Sequence, residues 1–168
     1  MEPRDLIVLT PSGAADPSLA IAACRAGARG VLDLEFGSPP SAAAALARFA
    51  RFAGDAFGVQ LRADSTDLFA LLVEFKPACV ILAGADQPAL AARVRELKAA
   101  GIEVLREAVS VAEAKCAVEL GVSGIVLKGH EAGGRVGADT SFVLLQKWRQ
   151  YADKNRSEEH TSELQSLV

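Results

Sequence analysis

The sequence predicts an α/β fold in which about six βα units form the front part of a TIM-type (β/α)8 barrel. Short apolar runs recur along the chain and alternate with helical segments, as expected of parallel strands that are covered by helices. Glycine follows four of the predicted helices just before the next strand, where a left-handed residue often ends a helix. A doubly wound sheet is the alternative, but it usually has a longer crossover at its switch point, and the sequence shows none.

The apolar runs define the predicted strands, and the residues between them define the helices. The strands are residues 6–9, 31–34, 58–61, 79–82, 102–106 and 124–127. Capping motifs precede three helices: Asp16-Pro17, Asp64 with Asp67, and Ser110 with Glu113, which is the best match to a capping box. The glycines that end helices are Gly27, Gly54, Gly101 and Gly121.

The chain is shorter than the barrel that its units predict. A complete barrel has about 250 residues, whereas this chain has 168. Residues 156–166 look like the translation of a sequencing adapter, so we expect 156–168 to be an artefact and to be disordered; a natural polar tail is the alternative. Residues 1–155 then form the N-terminal part of the barrel. We expect the natural chain to continue past Asn155 and the sixth strand to have an unpaired edge.

Composition and charge exclude several classes of protein. Hydrophobic residues make up 51% of the chain and aromatic residues 5%, which is typical of helices packed closely on strands. A net charge of −3 predicts no surface for nucleic acid. The sequence has neither an apolar run that could span a membrane nor a secretory signal, so we expect a cytoplasmic protein. The cysteines Cys24, Cys79 and Cys116 are predicted to be small buried hydrophobes without a disulfide or metal role.

The most informative stretch is residues 124–137, where an apolar strand ends in a glycine-rich loop and a new helix begins near Ser141. Glycine allows the backbone to approach a ligand closely, because it has no side chain and tolerates positive φ. The N-terminus of the following helix supplies N–H groups that suit an anion such as phosphate. Glycine loops also form plain turns, so this pattern alone is only moderately specific.

Three segments occur here in the order and spacing of a known family. They are Ser110-Val111-Ala112-Glu113-Ala114, Gly121-Val122, and Gly129-His130-Glu131-Ala132-Gly133-Gly134. With them, the chain resembles the flavin-dependent nitronate monooxygenase (2-nitropropane dioxygenase-like) family, which includes flavin-type enoyl-acyl carrier protein reductases. The resemblance extends over residues 5–151. The amino-acid sequence of residues 9–11 and 140–146 also resembles that of family members fused to large polyketide synthases.

The resemblance implies FMN at the carboxyl ends of the strands, where barrel enzymes place their sites. The implied cofactor-binding residues are Thr10, Gln60, Lys128, Glu131, Gly133 and Gly134. Gln60 would bond the ring edge, Lys128 would neutralise flavin charge, and the two glycines would approach through their backbone N–H groups. The structural alternatives are a polar strand end for Gln60, a solvated strand end for Lys128, a plain turn for the glycines, and loop bracing for Glu131. No metal is implied.

Arg135 departs from the family, which usually has histidine at this position after Glu-Ala-Gly-Gly. Arginine stays protonated and cannot act as a base near neutral pH, but it can bind an anionic substrate. We therefore expect Arg135 to be a catalytic cation in place of a base. His130 is the candidate for proton transfer, and a loop histidine without a function is its alternative.

Three functions follow as hypotheses. The first is an FMN-dependent oxidoreductase domain that acts on a nitronate or a carrier-linked acyl substrate and is incomplete at its C-terminus. The second is a barrel that has lost catalysis and serves as a structural or docking module of a multidomain polyketide synthase. The third is a phosphate-binding barrel without flavin. We expect this portion alone not to bind FMN, because the loops after strands seven and eight supply the main phosphate contacts.

Overall fold

The structure is a computed structural model that describes residues 6–54, 57–84 and 87–165, with the side chains of residues 87 and 155–165 outside the description. Within these ranges, β-strands and α-helices alternate, which confirms the predicted repeat of βα units. The strands are β1 (Ile7–Leu9), β2 (Arg29–Asp33), β3 (Gly58–Arg62), β4 (Cys79–Ala83), β5 (Glu103–Ala108) and β6 (Gly124–Leu127). The helices are α1 (Ser18–Arg25), α2 (Pro39–Ala53), α3 (Thr66–Phe75), α4 (Gln87–Ala99), α5 (Val111–Glu119) and α6 (Ser141–Gln165).

The strands form one parallel sheet in the order β1-β2-β3-β4-β5-β6. Each strand pairs with the next one along the chain, so the order never reverses as it would in a doubly wound sheet. The sheet curls into a half-barrel with helices between successive strands, which confirms the predicted truncated TIM-type barrel.

Curvature brings side chains of non-neighbouring strands together on the concave face. Arg29 of β2 and Glu103 of β5 form an ion pair of 2.7 Å near the amino-terminal ends of their strands. Two strands separate β2 from β5, so the pair joins elements that a flat sheet would hold about 14 Å apart.

Alternating side chains divide the core into an outer and an inner layer. The outer layer lies between the sheet and the helices, and includes Leu32, Leu46, Phe49, Val59, Leu61, Val80 and Leu82. The smaller inner layer lies on the concave face and consists of Val31, Cys79, Ile81 and Leu105, with Leu9 and Val126 packed against it. Large apolar side chains from strands and small alanines from helices share the outer layer, which allows close helix–sheet packing.

The glycines predicted to end helices do so. Their φ angles are positive, and they are Gly27 (85°), Gly54 (67°), Gly101 (75°) and Gly121 (65°). The Ser110 hydroxyl accepts a hydrogen bond from the Glu113 N–H at 3.3 Å, as the predicted capping box requires. Asp16 also receives an N–H, from Ser18 at 3.0 Å, although Pro17 is the N-cap residue and α1 begins one residue later than predicted.

The predicted cap at Asp64 is wrong. Ser65 is the N-cap residue of α3 and makes no side-chain capping bond, while the Asp64 carboxylate accepts from Arg62 at 2.7 and 3.0 Å. A charged partner two residues away holds this carboxylate, so it does not turn towards the N-terminus of the helix.

Helix α6 carries Leu144, Trp148 and Tyr151 at helical spacing. Leu144 is fully buried, and the rings of Trp148 and Tyr151 lie 5.4 Å apart. The helix continues to Gln165, and residues 166–168 lie outside the described residues. No proline or glycine interrupts this segment, so helix propagation is not blocked there. The origin of residues 156–168 and the boundary at 155 stay predictions.

The three cysteines are free thiols: Cys79 is buried in the inner layer, and Cys24 and Cys116 are half-buried. Burial raises the pKa of the Cys79 thiol, which keeps it in the neutral form. Among the described residues, no group of acidic, histidine or cysteine side chains is arranged to hold a metal ion. None of the helices in the described ranges has the length and apolar character needed to cross a bilayer.

Candidate functional site

Polar side chains form a layer on the concave face, at the carboxyl ends of the strands and above the apolar inner layer. Asp33 ends β2, Gln60 lies in β3, Glu107 lies in β5, and Lys128 follows β6. Asp33 and Gln60 are each 1% exposed and Glu107 is fully buried. Burial of this many polar groups is costly unless they bond to one another, so the sequence has placed interacting partners here.

Gln60 is the centre of the hydrogen-bond network in this polar layer. Its Nε2 donates to Asp33 Oδ2 at 3.3 Å and to Glu107 Oε2 at 3.4 Å. Lys128 Nζ donates to the same Glu107 oxygen at 2.8 Å. Gln60 and Lys128, two of the six residues that the resemblance assigned to the cofactor, therefore share Glu107 as a partner.

Thr10 lies at the edge of the layer and orients Asp33. Its hydroxyl oxygen accepts from the Asp33 N–H at 2.9 Å, and its own N–H donates to Val31 O at 3.0 Å. The Ser12 hydroxyl donates to Asp33 Oδ2, and Asp33 Oδ1 accepts from the Glu35 N–H at 2.8 Å. Asp33 is thus fixed by three donors, and the loop after β1 is tied to the end of β2.

Glu35 is the residue of this site that the sequence reasoning missed. The residue is 6% exposed, and neither of its carboxyl oxygens has a hydrogen-bond partner among the described residues. Burial, and then the neighbouring carboxylates of Glu107 and Asp33, raise the pKa of Glu35. A signal was present: Asp33 and Glu35 are acids two positions apart at the end of an apolar strand, and therefore on one face.

The glycine loop lies over the polar layer at Gly134. Its φ is +74°, and a Cβ there would lie 3.2 Å from Ser12 Oγ, 3.4 Å from Lys128 Nζ and 3.9 Å from Glu35 Oε2. A Cβ at Gly133 would meet nothing within 4 Å. Close approach to the site therefore requires glycine at position 134, and the structure gives no packing reason for glycine at 133.

Glu131 and His130 lie apart from the polar layer. The Glu131 carboxylate accepts from the Ser141 N–H at 2.8 Å, and so braces the loop against the start of α6. Hydrogen bonds from its own backbone and from Ser141 lower the pKa of Glu131. His130 is an exposed side chain whose Nδ1 lies 4.0 Å from Glu131 Oε2. The structure does not bring either residue to Gln60 or Lys128.

Arg135 is held by a partner of its own. Its Nη1 and Nη2 donate to the two carboxylate oxygens of Glu113, and its Nε lies 3.8 Å from Glu107 Oε1. Arg106 lies behind this pair, with its Nη2 3.9 Å from Glu113 and its Nη1 bonded to Leu82 O at 2.7 Å. Glu113 thus partly neutralises two guanidinium groups, and Arg135 is not a free cation over the site.

These groups also border a cavity of about 370 Å³, lined in part by Arg62, Arg106, Glu113 and Arg135. Burial lowers the pKa of Arg106, and the Glu113 carboxylate acts in the opposite direction. The cavity adjoins the polar layer through Arg135, which lies close to both Glu113 and Glu107.

Neither the family models nor the curated proteins that were compared match this chain. Solved structures do match. The FabK (M276A) mutant from Thermotoga maritima matches with a TM-score of 0.75 and 26% identity, over 86% of this chain and 49% of that one. FabK from Thermotoga maritima matches with a TM-score of 0.73 and 29% identity, over 86% and 47%.

Nitroalkane oxidase from Streptomyces ansochromogenes matches with a TM-score of 0.68 and 21% identity, over 86% of this chain and 55% of that one, and supports the fold alone. The chain spans about half the length of these solved proteins. The resemblance to the nitronate monooxygenase-like family that the sequence indicates is confirmed by the structural neighbours, FabK among them, and the resemblance to polyketide synthase fusions stays a prediction.

Proposed function

We propose that this chain is part of an FMN-dependent oxidoreductase whose flavin lies over the polar layer. The observation that carries the proposal is the convergence of Gln60, Lys128 and Gly134 at the carboxyl ends of the strands. This is the end of a barrel at which active sites are built. The motif and the geometry agree for these three residues, whereas Glu131, which the resemblance also assigns to the cofactor, lies apart from them.

The residues present fit a flavin ring better than they fit its phosphate. The amide of Gln60 and the ammonium of Lys128 offer donors, and the unpartnered Oε1 of Glu107 offers an acceptor, beside the backbone of Gly134. Three carboxylates in the same layer disfavour a phosphate there. When bound, the flavin supplies the redox chemistry, while these residues bind and orient it.

The charge of the site bears on the substrate class. Asp33 and Glu107 outnumber Lys128, the lysine of the polar layer, and Arg135 is paired with Glu113. A site with this balance favours an uncharged acyl thioester over a nitronate anion, because like charges repel in a buried environment. We therefore propose a carrier-linked or small acyl thioester as the substrate, with nitronate as the alternative within the same family.

The test is FMN binding by the protein encoded by the intact gene. We expect that protein to purify with bound flavin, visible as the flavin absorbance band, and to lose affinity for added FMN when Gln60→Ala removes the central amide. Glu74→Gln, an exposed position on α3, is the control and should leave affinity unchanged. A colourless intact protein that ignores added FMN would overturn the proposal.

A docking module of a multidomain polyketide synthase is the second candidate. The pairing of Arg135 with Glu113 favours it, because neither side chain is then free to act as a base or a cation in catalysis. A flavin-free intact protein in which synthase domains follow the barrel would support this candidate over the first.

A further inference from the structure

We propose that Glu35 is the proton donor of this site, holding a proton in the folded protein and passing it to the bound substrate. The inference rests on the proposed function and deepens it, because it names the acid that the reaction uses. Glu35 would give its carboxyl proton to the atom of the thioester substrate on which the redox step of the proposed function leaves negative charge. The Oε–H bond breaks, an O–H or C–H bond forms on the substrate, and solvent returns a proton to Glu35.

The first argument is the absence of any partner for a buried carboxyl group. Asp33 receives three hydrogen bonds and Glu107 receives two, whereas both oxygens of Glu35 are buried and unpartnered among the described residues. An ionised carboxylate is costly in that environment, whereas the neutral acid is tolerated. A neutral carboxyl group without a partner is also available to donate to a ligand.

The second argument is the set of charges that face Glu35. Asp33 on β2 and Glu107 on β5 oppose its ionisation, whereas Arg62 at the end of β3 and Lys128 after β6 favour it. Lys128 is already bonded to Glu107, and Arg62 is bonded to Asp64, so both cations are engaged elsewhere. Burial and the two acids act in the same direction, so the pKa of Glu35 lies above its ordinary value.

The position of Glu35 also suits contact with a ligand at the carboxyl ends of the strands. Glu35 Oε2 lies 3.9 Å from the position that a Cβ would take at Gly134, in the loop that approaches the polar layer. Arg135 cannot exchange protons near neutral pH and is paired with Glu113, and the exposed His130 lies apart from the polar layer. Among the acids of the polar layer, Glu35 is the one with neither carboxyl oxygen hydrogen-bonded to a described residue.

The experiment compares the pH dependence of unfolding for the wild-type chain and Glu35→Gln. A raised pKa means that the contribution of Glu35 to stability is fully present below the pKa of an unfolded glutamate, about 4.3, and is lost as the pH rises through the folded-state pKa. Glutamine cannot titrate. We therefore expect the folding equilibrium constant of the wild type to fall relative to that of Glu35→Gln, by about tenfold for each unit of pKa difference.

The control is Glu74→Gln, which changes one exposed charge and should give a curve parallel to that of the wild type. Parallel curves for wild type and Glu35→Gln would overturn the inference. Infrared spectra of the wild type need no variant: a protonated-carboxyl band at neutral pH is expected, and its absence would also overturn the inference.

The transfer step is tested in the protein of the intact gene. With FMN bound, Glu35→Gln should lower turnover and abolish one limb of its pH profile, while the affinity for FMN stays near the wild-type value. An unchanged pH profile would overturn the donor role. A protein that binds no FMN would overturn the proposed function instead, and the unfolding curves would still decide whether Glu35 holds a proton.

Discussion

Glu113 is the residue on which the most contacts around the glycine loop depend. It bonds Arg135, lies 3.9 Å from Arg106, and accepts from the Val109 N–H at the start of α5. One carboxylate therefore connects β5, α5 and the loop after β6. The loop owes its position to this side chain as well as to its glycines.

Glu113→Gln should destabilise the folded chain, because Arg106 is buried and would lose its nearest counter-charge. We expect the free energy of unfolding to fall by about 1–3 kcal/mol in urea denaturation. Glu119→Gln, an exposed position on the same helix, is the control and should change it by about 0.5 kcal/mol or less. An equal effect of both substitutions would contradict a structural role for the Glu113 contacts.

Sequence reasoning found the residues of the rim that a local motif contains, and missed those that only the fold brings together. Gln60, Lys128 and Gly134 were predicted and lie together. Glu113 was predicted only as a helix cap, although its partner Arg135 is 22 residues away. Glu35 belongs to no motif, and only the curl of the sheet places it beside Glu107. Long-range pairing of charges depends on tertiary geometry, which periodicity does not contain.

At the scale of elements, two adjacent glycines of the loop between β6 and α6 differ, because Gly134 is constrained and Gly133 is not. Gly134 has positive φ and lies against Ser12 and Lys128, whereas Gly133 has open space around its missing Cβ. Residues 133 and 134 therefore allow the same substitution to be compared at a constrained and an unconstrained position.

Gly134→Ala should destabilise the chain by about 1–2 kcal/mol, because an L-residue is strained at this φ. The added methyl group must also displace the loop from the polar layer, so FMN affinity of the intact protein should fall. Gly133→Ala is the control, and we expect it to change neither quantity. Chemical denaturation and flavin titration measure the two effects. Equal responses at 133 and 134 would show that the loop does not approach the layer as described.

Helix α2 shows how the outer core holds the sheet. Phe49 is fully buried and its ring lies 5.1 Å from that of Phe57, while Phe52 on the same helix is 43% exposed. Phe49→Ala should lower the free energy of unfolding by about 3–5 kcal/mol through the cavity it leaves. Phe52→Ala, the matched control, should lower it by about 0.5 kcal/mol. Thermal or urea denaturation of the two variants would contradict this if their losses were similar.

The strand order and the helix ends were predicted from the sequence because both depend on local patterns. Apolar runs placed every strand within a few residues, and four glycines marked helix ends through positive φ. The extent of α6 beyond residue 155 was not predicted, because residues 156–168 were interpreted as a sequencing-adapter artefact. The predicted cap at Asp64 was wrong because the Asp64 carboxylate accepts a hydrogen bond from Arg62, and sequence spacing does not reveal that competing contact.

At the scale of the whole molecule, the fold is an open trough with an apolar floor and a charged rim. The polar side chains lie at the carboxyl ends of the strands, and the helices cover the convex face of the sheet. The structural neighbours are about twice as long as the matched region, so the trough corresponds to about half of each neighbour.

The ion pair between Arg29 and Glu103 has a consequence for how such a trough acquires its shape. The two side chains form an ion pair across the concave face, and they belong to strands that are not neighbours in the sheet. The curvature of the sheet therefore depends on contacts within these six units and does not require a closed barrel. Any further strands would pair with a sheet whose curvature these units already define.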